Sequence, residues 1–85
     1  MKYTRKNQGT CSRTVSFELT DEVIVKNVSF EGGCHGNLQG IAALCEGISA
    51  DELIPRLSGI RCGFKSTSCP DQLAQALIAA KAEKE

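Results

Sequence analysis

The hydrophobic period of this chain changes once, at Glu31-Gly32-Gly33-Cys34-His35-Gly36. Ahead of that point apolar residues recur at every second position, and behind it they recur at helical spacing. From Arg13 to Leu19, Val15, Phe17 and Leu19 alternate with Ser16 and Glu18, the pattern of a half-buried strand. Thr20, Asp21 and Glu22 supply a turn. Val23 to Phe30 is β-branched and aromatic, which predicts a second strand with Ile24, Val28 and Phe30 on one face. Lys26 on that face marks an edge or a strand end. Two strands alone are marginal in water, so residues around Tyr3 to Lys6 are expected to pair as a third.

The glycine segment is a tight loop that allows close backbone approach, and it carries Cys34 and His35. A helix is predicted from about Asn37 to Glu46, with Leu38, Ile41, Ala42 and Cys45 on one face and Gly47 as its stop. That spacing makes Cys45 a core residue. Ser49-Ala50-Asp51-Glu52 reads as a capping box opening a second helix, with Ile48 able to staple onto Leu53. Pro55 falls too late for the first-turn exemption and keeps this helix short or kinked before Gly59. Ile60 to Ser68 is loop or a short extended piece. In the last helix Pro70 suits the first helical position, Ser68 or Cys69 the cap, and Leu73, Ala74, Leu77, Ile78 and Lys81 follow at helical spacing. Strands followed by helices predict an α+β domain spanning residues 1–85, a two-layer arrangement of a small antiparallel sheet covered by about three helices.

Size then turns attention to the cysteines. A chain of 85 residues buries only about 60–65% of the surface its unfolded form exposes, so a staple, a metal or a partner subunit is expected to contribute. Ten basic residues balance ten acidic ones and neither set clusters, which argues against a nucleic acid or an anionic membrane as partner. No apolar run approaches the roughly 18 residues of a spanning helix, and Met1 to Gly9 lacks the apolar middle of a signal peptide. The chain is therefore expected to be cytoplasmic, where its five cysteines point to metal binding or thiol chemistry more than to disulfides.

Cys11 precedes the first well-patterned strand, Cys34 follows the second, and Cys62 and Cys69 flank the last loop. All four lie at element ends, where loops at one rim of a sheet can converge. Four thiolates suit tetrahedral zinc or an iron–sulfur cluster, because both demand soft sulfur donors. No two of the four form a Cys-x-x-Cys knuckle, so only the fold can assemble them. Cys69 has a further argument: a thiol at a helix N-terminus meets unpaired amides and the positive end of the macrodipole, which favour the thiolate. His35 and Asp71 are candidate supporting groups around such a site, although a lone loop histidine and a first-turn aspartate are also ordinary solvated residues. No Ser-His-Asp set, Walker loop or dinucleotide fingerprint is present, so no catalytic residue is assigned.

Thr67-Ser68-Cys69-Pro70-Asp71, with Gly32-Gly33-Cys34-His35-Gly36-Asn37 and Gly9-Thr10-Cys11-Ser12 upstream, resembles the TSCPD domain family over about Tyr3 to Ala80. The resemblance implies Cys11, Cys34, Cys62 and Cys69 as the motif cysteines. It also implies kinship with a C-terminal domain of adenosylcobalamin-dependent ribonucleotide reductases, and hence an accessory thiol-redox or docking role beside ribonucleoside-diphosphate reductase. Reductase activity by this chain alone is not expected, since 85 residues offer no nucleotide pocket or radical cofactor site. A more distant similarity, to U-type iron–sulfur cluster scaffold proteins, implies a cluster-handling partner and three ligands falling on Cys11, Cys34 and Cys69. This chain departs from that pattern with Arg13 where the scaffolds have aspartate and Ser68 where they have histidine. A third expectation is a small homodimeric interaction domain with structural cysteines.

Overall fold

A computed structural model describes residues 2–10, 12–33 and 35–84, with His35 and Lys84 described in backbone only. Three strands, β1 (Lys2–Lys6), β2 (Ser12–Leu19) and β3 (Val25–Gly32), precede three helices, α1 (His35–Cys45), α2 (Ala50–Leu57) and α3 (Cys69–Lys84). The sheet is antiparallel in the order β1-β2-β3, so β2 is central and the expected α+β architecture is present. Val15, Phe17 and Leu19 alternate into the core from β2. Opposite Phe17 in the ladder stands Tyr3, and the two rings stack with centroids 5.6 Å apart, a cross-strand contact that joins β1 to the core.

β3 departs from the predicted face. The pairing passes from Ser16↔Ser29 to Glu18↔Lys26, leaving one extra residue on β3, and Asn27 takes a positive φ of 53° there. Asparagine tolerates this left-handed conformation better than most residues, and the bulge reverses the side-chain alternation behind it. Val25, at 0% exposure, therefore joins Val28 in the core, whereas Lys26 is exposed and Ile24 is only half-buried. Ile24 instead bridges Ser49, the Val25 N–H donates to the Ile48 carbonyl at 2.9 Å and the Val25 carbonyl accepts the Gly47 amide at 2.9 Å, which covers one end of the β3 edge.

Helix α1 begins two residues earlier than expected and buries Leu38 and Cys45, with Ile41 and Ala42 half-buried beside them. Gly47 stops it in a left-handed conformation, φ 78°. Ser49 caps α2 by accepting the Glu52 amide at 3.2 Å, and the helix ends at Leu57 two residues after Pro55. α3 lies against β2 and α2, burying Leu73, Ala74, Ala76, Leu77 and Ala80, while Ile78 and Lys81 fall towards solvent. The small side chains let the helix sit close to the sheet. No helix among the described residues is long and apolar enough to cross a membrane.

Candidate functional site

The site forms where β2 starts, and a second bulge creates it. The alternation of Val15, Phe17 and Leu19 would turn residue 13 inward and residue 12 outward. Instead the ladder passes from Thr14↔Glu31 to Ser12↔Gly32, so β2 carries one extra residue and the alternation reverses. Ser12 is consequently buried at 2% exposure and Arg13 is turned out, where it pairs loosely with Glu31 at 3.5 Å.

Two buried side chains meet the Ser12 hydroxyl. Asn7 Nδ2 donates to Ser12 Oγ at 2.8 Å, and Ser12 Oγ lies 2.9 Å from Cys69 Sγ. Asn7 and Cys69 are each 7% exposed. The backbone of this corner is fixed by Asn7 N–H to the Arg13 carbonyl at 2.7 Å and by Thr10 Oγ1 to the Ser12 carbonyl at 2.9 Å. It is tied across to α3 by the Gln8 amide, which donates to Gln72 Oε1 at 3.2 Å. Gly9, at φ 71°, passes so close to the loop before α3 that a Cβ there would meet the Thr67 methyl at 3.2 Å.

Ser68 caps α3, accepting the Asp71 amide on its hydroxyl at 3.2 Å and the Gln72 amide on its carbonyl at 2.8 Å. Cys69 is therefore the first residue of the helix and Pro70 the second. The positive end of the helix, with the hydroxyl of Ser12 beside the sulfur, is a setting that favours a thiolate or a metal-bound sulfur. Cys45 has the opposite environment: it lies in the apolar core, 2% exposed, and burial pushes its thiol up from the ordinary value.

Asp71 works on the neighbouring loop. Its carboxylate accepts the Thr67 hydroxyl and the Gly59 amide, the latter at 2.7 Å, and these bonds, Thr67 first, hold its carboxyl below the usual range. The Ser68 hydroxyl donates to the Ile60 carbonyl at 2.6 Å, and the Cys62 amide donates to the Thr67 carbonyl at 3.1 Å. The segment from Gly59 to Thr67 is thus closed at its base on the α3 start. At its tip Lys65 N–H returns to the Cys62 carbonyl at 3.1 Å across Gly63, φ 60°, which leaves Cys62 and Phe64 exposed.

Of the six residues singled out from sequence, Cys69 is buried at the rim, Cys62 is exposed on the loop tied to it, and Asp71 holds that loop. Cys11 and Cys34 lie outside the described residues, as does the His35 side chain. Among the described residues no three His, Cys, Asp or Glu side chains form a metal-holding group. Asn7 and Ser12 were not legible as site residues, because strand alternation alone directs Ser12 outward.

No curated protein and no solved structure matches the chain. The family model described as the TSCPD domain matches residues 1–81, and the chain belongs to that family.

Proposed function

We propose that this chain is a non-enzymatic cysteine module that holds zinc or an iron–sulfur cluster through Cys11, Cys34, Cys62 and Cys69. The observation that carries the reading is the burial of the Cys69 sulfur against Ser12 at the rim where Ser12 pairs with Gly32. Cys11 directly precedes Ser12 in the sequence, and Cys34 follows Gly32 by two residues. Cys62 belongs to the loop whose base is bonded to the start of α3. The donor set fits the group: soft sulfur ligands suit either zinc or iron–sulfur, and a buried sulfur at a helix start can keep its charge when a cation neutralises it. When bound, the metal would supply a structural staple, or electron transfer if it is a cluster. Analysis of anaerobically purified protein for zinc, iron and sulfide tests this. Stoichiometric metal is expected, and a folded, metal-free chain with four accessible thiols would contradict it.

A second reading draws on the exposed tip of the loop between α2 and α3. Phe64 is fully exposed beside the exposed Cys62 thiol, whereas Tyr3, Phe17 and Phe30 pack on or in the core. An aromatic presented on a tied turn suits an accessory that docks on a partner, and the family's kinship with ribonucleotide reductases names the candidate. Thiol–disulfide exchange between Cys62 and Cys69 would then be its chemistry. Redox titration separates the readings: a Cys62–Cys69 couple inert to dithiol reductants removes the relay.

A further inference from the structure

Asn7 and Ser12 are polar residues that the core does not need. Both are more than nine-tenths buried, and the Asn7 amide oxygen, Oδ1, has no hydrogen-bond partner among the described residues. A buried acceptor without a donor is a cost that folds avoid unless another interaction requires the group. The β2 bulge adds to that cost by interrupting the ladder at the point where it turns Ser12 inward.

The direction of the Asn7 bond constrains what the Ser12 hydroxyl can do. Asn7 Nδ2 can only donate, so Ser12 Oγ accepts from it and keeps its own hydrogen to give away. Two acceptors are near. Thr10 Oγ1 is 3.5 Å from Ser12 Oγ, and Cys69 Sγ is 2.9 Å away. Thr10 spends its own hydrogen on the Ser12 carbonyl and so gives none to the Ser12 hydroxyl. The Ser12 hydrogen is available to either of them, and the contact with Cys69 is the shorter. A neutral thiol is a weak acceptor, whereas a thiolate bound to a cation is a good one.

The geometry points to Asn7 and Ser12 as positioning residues for a soft metal cation at Cys69: the Ser12 hydroxyl donates to the metal-bound sulfur, and Asn7 fixes the direction of that donation. The thiol proton displaced by the metal leaves to solvent. This rests on the metal reading above and adds to it a donor pair outside the cysteine set, of the kind that orients ligands from behind.

The test uses the full chain, purified anaerobically and stripped of metal, with zinc affinity measured by competition against a chromophoric chelator. Ser12→Thr and Ser12→Val have nearly the same shape and differ in the hydroxyl, so their comparison holds even where Ser12→Ala folds poorly. Ser12→Val is expected to weaken zinc binding by about 10–100-fold. Ser12→Thr stays close to the unsubstituted chain, and Asn7→Leu falls between the two. Equal affinities for the threonine and valine variants overturn the inference and leave the metal reading standing. Failure of the unsubstituted chain to bind zinc, iron or a cluster overturns both.

Discussion

Cys45 and Cys69 are both hidden from solvent, yet one is surrounded by apolar side chains and the other by a hydroxyl, an amide and a helix start. In the core, a thiol is a small hydrophobe whose burial disfavours charge, and its value lies in filling space within the apolar cluster. At the rim, packing is sacrificed: a strand bulge, a buried asparagine with an orphaned oxygen and a carboxylate-tied loop surround the sulfur. The contrast teaches that burial alone does not assign a cysteine its role. What decides is the polarity that the fold places within hydrogen-bond reach of the sulfur.

The largest effect expected is in the core. Phe17→Ala removes the ring that packs on Tyr3 and the α3 side, and should cost about 3–5 kcal/mol in denaturant unfolding. A cost under about 1 kcal/mol would mean that the rim, not this core, holds the fold.

The two cysteines themselves come next. Cys45→Ser buries a hydroxyl among apolar groups and should cost about 1–3 kcal/mol. Cys69→Ser in metal-free protein should cost less, because the new hydroxyl meets Ser12. Equal losses in the two variants would break the contrast.

Asp71→Asn follows, at about 1–2 kcal/mol, from weakened bonds to Thr67 and Gly59 and a lost charge near the α3 start. Its pH dependence has a defined sign. The folded carboxyl is held below its unfolded value, so its contribution is fully present above a pH of about 4 and is lost as the pH falls through the lowered folded value. Acid titration of stability should show that limb in the unsubstituted chain and a shallower one in Asp71→Asn. The smallest effect belongs to Arg13→Ala, whose ion pair with Glu31 is exposed on both sides and should contribute less than about 0.5 kcal/mol by thermal melting.

The fold was legible wherever one residue or one period decided the local structure. Period two along Val15, Phe17 and Leu19, the Ser49 cap, the Gly47 stop and the helical spacing through Cys45 all describe the observed elements. The rim was legible only in part. Cys69 could be placed at a helix start because Pro70 and Asp71 signal one, but Asn7 and Ser12 could not be placed. Their inward turn depends on register, which is set by pairing with β3 and by a bulge that leaves no local mark in Ser12-Arg13-Thr14. The same physics misdirects the reading of β3, where Asn27 shifts the buried position from Ile24 to Val25.

The most direct measurement is the unfolding midpoint of anaerobically purified protein with and without a strong chelator, for the unsubstituted chain, Cys45→Ser and Cys69→Ser. Because a metal held only by the folded chain stabilises it, chelation should lower the midpoint of the unsubstituted chain and of Cys45→Ser and leave Cys69→Ser unchanged. A midpoint of the unsubstituted chain that ignores the chelator, or a Cys69→Ser chain that responds as fully as the others, would contradict the assignment of the metal to the rim.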